Sequence, residues 1–322
     1  MSEFIHDDFP TRVLPSLRVD NDATFDSSLI IERLDFFQQM GCRLADHAVN
    51  EFDSELLHFL GGQYGRRGWI MQLHIGAQRQ TSTRLRQLAG PAGGYATIGP
   101  SCDIPGLCRL LDDLEQAGCL PRTILYPLNP ADYAALATLT GSFAEDGVRG
   151  KIQLGPAWWY NDHAWGIRQH LDALASYGLL STFIGMTTDS RSLLSMSRHE
   201  YFRRVLCDWL GDQVQAGILP DDDQLLGPLV RAVCFDNARR WLDLEGVGIG
   251  AQSGAVRRQV NRPCLSRRVE HPVVALIRLV RLAPAPGRSQ VLAVSLELNN
   301  SIVRKRKTLL EVNQLEPRTR LS

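Results

Sequence analysis

Between residues 12 and 241, short apolar runs alternate with longer stretches whose apolar residues recur at helical spacing. Runs at 12–17, 41–45, 69–73, 122–126, 151–154 and 182–186 read as strands. Segments 29–40, 51–64, 105–117, 131–140, 165–177 and 198–215 read as helices, and 221–241 as one more helical region. Strict alternation of strand and helix predicts a parallel sheet with crossover helices.

Polar residues cluster just past the ends of these runs: Arg18, Asp46, His47, His74, Asn129, Asp189 and Arg191. Parallel α/β folds display their chemistry at the carboxyl ends of their strands. The last run carries the most information. Gly185-Met186-Thr187-Thr188-Asp189-Ser190-Arg191-Ser192 ends an apolar run in a carboxylate with an arginine two residues on. A long amphipathic segment opening on Arg198-His199-Glu200-Tyr201-Phe202-Arg203-Arg204 follows. Six strand–helix units in this arrangement fit either a (β/α) barrel or a doubly wound parallel sheet. No GxGxxG, P-loop or GxSxG pattern follows any run, which argues against nucleotide binding and an α/β-hydrolase.

Composition refines the picture. With 35 basic and 35 acidic residues the chain has no bulk attraction for polyanions. That balance hides an asymmetry. All 24 aromatic residues lie in 1–241, and 242–322 holds 14 Lys or Arg against 6 Asp or Glu. A stretch without aromatics lacks the side chains that dominate core burial. The expected domains are therefore a barrel domain at 1–241 and a basic, poorly ordered tail at 242–322. The run Arg304-Lys305-Arg306-Lys307 reads as a solvated face. With no aromatics there for base stacking, no nucleic-acid partner is expected. No apolar run reaches the roughly 18 residues of a membrane span, so no membrane partner is expected. The opening residues Met1 to Asp8 lack the basic and apolar regions of a signal peptide. Seven scattered cysteines without a CxxC pair read as reduced thiols, and the expected location is cytoplasmic.

Several stretches, in order, resemble one family. They are Val13-Leu14-Pro15-Ser16-Leu17-Arg18, Gly41-Cys42-Arg43-Leu44-Ala45-Asp46-His47 and Met71-Gln72-Leu73-His74-Ile75-Gly76-Ala77. Thr123-Ile124-Leu125-Tyr126 with Leu128-Asn129-Pro130 follows, then Lys151-Ile152-Gln153-Leu154-Gly155 with Trp158-Trp159-Tyr160-Asn161-Asp162. The 185–192 stretch and Cys234-Phe235-Asp236-Asn237-Ala238 complete the set. Together they resemble the uronate (glucuronate) isomerases of the amidohydrolase-like barrels, which implies an α/β fold of the (β/α)₈ TIM-barrel type, incomplete here, with about six of the eight strand–helix units. The resemblance implies conversion of D-glucuronate to D-fructuronate and of D-galacturonate to D-tagaturonate, with one divalent metal, usually zinc. Family members hold that metal by an HxH pair on the first strand, a histidine matching His74 and an aspartate matching Asp189. Arg191 matches a substrate-binding arginine. Arg18, His47, Trp158 and Trp159 fall where the family lines its sugar pocket. No HxH occurs in this chain, which therefore reads as an amino-terminally truncated member with an unrelated tail.

An aldose–ketose isomerase moves a proton from C2 to C1 through an enediolate and needs a base within reach of it. Asp189 is the candidate base, with Asp46 and Arg191 also assigned catalytic parts. The developing oxyanion wants fixed positive charge from a metal or Arg191. The hexuronate carboxylate suits the planar fork of Arg18 or Arg191. His74 would bind metal as the neutral ring. Plainer readings stand beside these: a satisfied core histidine at 74, a capping pair at Asp46-His47, and core packing for Trp158-Trp159. Two alternative functions share the same residues: a catalytically inactive remnant, and a metal-dependent hydrolase of the same superfamily. Assembly as a homo-oligomer is compatible with the sequence.

Overall fold

A computed structural model describes residues 16–18, 26–90, 93–189 and 193–242. Arg191, residues 12–15 of the first run and the basic tail from 243 onward lie outside the described residues.

The centre is a parallel sheet of β1 (Leu44–Val49), β2 (Ile70–Ile75), β5 (Arg122–Pro127) and β6 (Ile152–Leu154), in the order β1-β2-β5-β6. Helices α1 (Ser27–Gln39), α2 (Glu55–Arg67), α4 (Ile104–Gln116), α5 (Tyr133–Ser142), α6 (Ala164–Tyr177) and α7 (Ser197–Gln215) alternate with or flank these strands. A two-stranded hairpin of β3 (Ala77–Gln78) and β4 (Thr97–Ile98) encloses α3 (Thr83–Ala89) between β2 and α4. After α7 come α8 (Asp223–Arg231), one π-helical turn (Ala232–Asp236) and α9 (Asn237–Trp241).

Apart from α3, which buries no residue and was not anticipated, the helices form where the apolar spacing places them. In α4, Leu107, Leu110, Leu111 and Leu114 recur on one face and all are buried. Asp103 caps that helix by accepting a hydrogen bond from the Gly106 amide at 3.0 Å. Each such leucine taken fully out of water contributes about 1.5–3 kcal/mol.

Side chains on a strand alternate between two faces, and the core divides accordingly. Ala45, Met71, Leu73, Ile75, Leu125, Ile152 and Leu154 join the large cluster with the helices. Ile70, Ile124 and Tyr126 point the other way, into a smaller cluster with Leu128, Trp158, Trp241 and Leu242. This second, inner face carries the polar residues of interest. Leu242 belongs to it, so the packed region reaches one residue past the expected boundary at 241.

Two expectations need correction. The sheet among the described residues has four strands, not six; it stays open, as the incomplete (β/α)₈ TIM-barrel type expected would. Of the described residues of the 12–17 run, Ser16 and Leu17, the latter meets the sheet through one parallel bridge to Ala45. The 182–186 run, expected as the final strand, has no strand ladder. A 3₁₀ turn (Leu180–Thr182) leads into extended chain whose carbonyls are taken by side chains instead: Gln153 Nε2 donates to Thr182 O at 3.1 Å. Of this run, Thr182 lies in the 3₁₀ turn, Phe183 is extended and Gly185 has a φ of 82°; apolar composition alone does not supply a partner strand.

Candidate active site

On the inner face, register fixes what meets what. Asp46 lies opposite Gln72, and Ala48 lies opposite His74, which pairs in turn with Tyr126. Asp46 and His74 therefore project from the same side of adjacent strands, one step apart. Arg18 Nη1 donates to Asp46 Oδ2 at 3.0 Å. Asp46 Oδ1 stands 2.5 Å from His74 Nδ1. His74 Nε2 then faces Asp189 Oδ2 at 3.8 Å. Arg18, Asp46, His74 and Asp189 thus form one continuous line of alternating charge character.

The imidazole is fixed by its neighbours. His74 is 5% exposed and Asp46 4%. The Tyr126 ring stacks on His74 at 4.5 Å and 5°, and Trp158 meets it edge-on at 4.5 Å and 73°. Tyr126 donates its hydroxyl to Gln72 Oε1 at 2.8 Å, and the Trp158 indole N–H donates to Tyr126 O at 3.1 Å. Gly155 permits this packing, because a Cβ there would stand 2.5 Å from the Tyr126 ring. A carboxylate on one ring nitrogen and an open second nitrogen is the arrangement that sets a histidine tautomer.

Asp189 ends the extended segment after the 3₁₀ turn. Its φ of 41° lies in the left-handed region, which an aspartate adopts at some cost. Asn237 anchors the other end of this segment: its Nδ2 donates to Ser181 O at 2.9 Å and Phe183 O at 2.8 Å. Across the site, the loop after β6 is tied to α7. Arg198 Nη2 donates to Asp162 O at 2.7 Å and also pairs with the Asp162 carboxylate. Burial pushes the Asp162 carboxyl up, and the Arg198 charge pulls against that shift.

The structure brings Asp46, His74, Asp189 and Arg18 together and does not bring His47. That residue follows Asp46 on β1 and points to the helix side, where Nε2 meets the Tyr64 hydroxyl at 2.9 Å. Its assignment to a sugar pocket is corrected: two neighbours on a strand cannot share a face. Trp158 is 1% exposed with its N–H used internally, so it supports His74 and offers no donor to a ligand. Trp159 is the outer member of the pair, half-buried at a φ of 52°, with the Arg79 guanidinium 5.1 Å from its ring centroid. Arg18 is committed to Asp46. Gln72, Tyr126, Arg79 and Asn237 were missed. Period two from His74 picks out Gln72, and the strand pairing that reveals Tyr126 is not written in local sequence.

His74 Nε2 and Asp189 Oδ2 are too far apart for a hydrogen bond, yet stand at a separation two ligands of one ion can adopt. Asp46 behind Nδ1 supplies the outer partner that metal-binding histidines have. The pair fits two positions of a divalent-ion site, and no group of three or more His, Cys, Asp or Glu completes one among the described residues. A groove of about 380 Å³ lined by Leu17, Leu29, Ile30, Arg33 and Phe36 lies beside α1, apart from this chemistry.

A family model described as glucuronate isomerase matches residues 48–242. The uronate isomerase of Caldanaerobacter subterraneus subsp. tengcongensis is 41% identical over 253 residues, 68% of this chain and 54% of that protein. That of Bacillus licheniformis is 42% identical over 256 residues, covering 69% of this chain and 54% of the relative. The solved uronate isomerase of Thermotoga maritima superposes with a TM-score of 0.60 at 28% identity, over 67% of this chain and 52% of that one. The glucuronate isomerase of Caulobacter crescentus gives 0.60 at 20% identity, over 76% of this chain and 53% of that one, which speaks to the fold alone. The chain spans about half the length of the curated relatives it matches. With the family model matching residues 48–242, more than half of the chain, this chain belongs to the glucuronate isomerase family.

Proposed function

We propose that the chain carries out aldose–ketose isomerisation of hexuronates, taking D-glucuronate to D-fructuronate and D-galacturonate to D-tagaturonate. The observation that carries this reading is the line Arg18–Asp46–His74–Asp189 on the inner face of the sheet. It ends in a carboxylate held in a strained backbone conformation, a feature that clusters at active sites.

Asp189 takes the proton from C2, the electron pair forms the C1–C2 double bond, and negative charge develops on O1. The same carboxyl returns the proton to C1 while the O2 proton passes to O1, leaving the carbonyl at C2. Asp46 holds Nδ1 of His74 and directs Nε2 at the reacting side. Arg18 holds the Asp46 carboxylate in place through a charge-assisted hydrogen bond. Arg191 and the face of Trp159 are assigned to the substrate, Arg191 for its carboxylate and Trp159 as an apolar wall. One divalent ion, which we take as zinc, would be held by His74 Nε2 and Asp189, and when bound would stabilise charge on the substrate oxygens. No helix among the described residues is long and apolar enough to cross a membrane, which suits a small-molecule substrate met in water.

The test is turnover of both hexuronates by the purified chain beside Asp189→Asn. The variant should lose about 10³-fold or more in kcat, the scale of a positioned acid–base group, with its folded fraction unchanged. Equal turnover in the two proteins would remove Asp189 from the chemistry.

A further inference from the structure

The segment that carries Asp189 has no strand beside it, yet it must be held to a fraction of an ångström for Asp189 to face His74. Its backbone acceptors account for how. Ser181 O and Phe183 O both accept from Asn237 Nδ2, and Thr182 O between them accepts from Gln153 Nε2. Two side-chain amides thus replace the ladder of a neighbouring strand. Gln153 reaches out from β6, and Asn237 reaches in from the first position of α9.

The Asn237 amide has a defined orientation. Its Oδ1 accepts from Arg240 Nη2 at 3.1 Å, which turns the NH₂ group toward the segment. The α9 helix is itself tied down, because the Trp241 indole donates to Gly150 O at 3.0 Å and Arg122 donates to Trp241 O. Two residues on, Gly185 has a φ of 82°, and a Cβ there would stand 2.2 Å from Val233 O in the π-helical turn. The turn and the asparagine therefore grip consecutive parts of one strap, and π-turns of this kind recur at functional sites.

We infer that Asn237 is a positioning residue for Asp189, setting the place of the catalytic carboxylate through the backbone of 181–189 rather than by touching substrate. The inference rests on the isomerase reading for the role of Asp189, and on the structure alone for the anchor.

The experiment compares the full chain, Asn237→Ala and Asn237→Asp by hydrogen–deuterium exchange, with turnover measured on the same samples. Asn237→Ala should raise exchange in the 180–189 peptide about tenfold, as expected for loss of two buried hydrogen bonds, with β2 and β5 peptides unchanged. Asn237→Asp keeps the shape. Its protonated carboxyl, present once the pH is low enough, donates one bond, whereas the carboxylate, favoured by the Arg240 guanidinium, sets negative charge against two carbonyl oxygens. Exchange should therefore be near wild type in acid and raised in alkali, a pH dependence that mere loss of packing would not give. In both variants kcat should fall with KM held, in parallel with exchange. Equal exchange in all three proteins, or a rise spread evenly over the sheet, would overturn the inference. Asn237→Asp brought up from acid supplies the comparison should Asn237→Ala fail to fold. A wild-type chain without turnover would count against the isomerase reading, while the exchange data would still decide the anchor.

Discussion

Asp46 and His47 are adjacent in the chain and face opposite sides of β1. The first pairs with His74 on the inner face, and the second bonds Tyr64 of α2 on the helix face. Asp46→Asn should therefore lower turnover about 10- to 100-fold, the effect of losing an outer partner of a ligand histidine. His47→Leu should leave kcat unchanged and cost about 1 kcal/mol of stability, read from the urea midpoint. A kcat loss confined to His47→Leu would reverse the two assignments. The grouping of Asp46, His74 and Asp189 was legible at this scale, because each stands near the end of an apolar run and resembles the family's pattern, and the structure sets the three in one line. What misled was reading Asp46-His47 as the residues that end a strand. They lie in the middle of Leu44–Val49, where period two separates them. The pairing of Arg18 with Asp46 spans 28 residues and leaves no trace in local sequence.

At the scale of elements, the helices and four of the strands follow from periodicity, because burial on one face imposes it. The 182–186 segment shows where that signal stops. Its residues favour extended backbone, yet ladder formation depends on what lies beside it, and here side-chain amides do. The β3–β4 hairpin escaped notice because its strands are two residues long. The loops on either side of the site are joined by Arg198 and Asp162, whose side chains are 38% and 3% exposed. Arg198→Met leaves a buried carboxylate without its partner and should cost about 2–4 kcal/mol at neutral pH. Burial already raises the Asp162 carboxyl. Its burial penalty is absent below its unfolded pKa and grows as pH rises through the raised folded value. The gap between variant and wild type should accordingly narrow on acidification. A gap that is constant with pH would mean that lost packing, not stranded charge, sets the cost.

For the molecule as a whole, two buried histidines govern acid stability. Burial holds His170 down at about 4, opposed by its bond to Gly155 O, and holds His199 at about 4 with help from the Arg203 charge. Unfolded, each would titrate near 6.5. Below that value the unfolded chain binds protons that the folded chain refuses, so stability is full above it and falls steadily toward the folded value. Each histidine should remove about 2 kcal/mol by about pH 5, seen as a falling urea midpoint. A midpoint that is flat or rises over that range would contradict the assignment. Fold class was legible at this scale because alternating periodicities leave few architectures. The number of strands in the sheet was not, since extended propensity does not count hydrogen-bonded neighbours.

The central claim is that Asp189 moves the C2 proton. Its most direct test incubates C2-deuterated D-glucuronate with the full chain, with and without zinc, and follows the label by NMR beside Asp189→Asn. The account predicts deuterium lost to solvent or carried to C1 in the wild-type protein and retained at C2 in the variant. Label movement at the same rate in both proteins, or none in a folded wild-type chain under either condition, would contradict it.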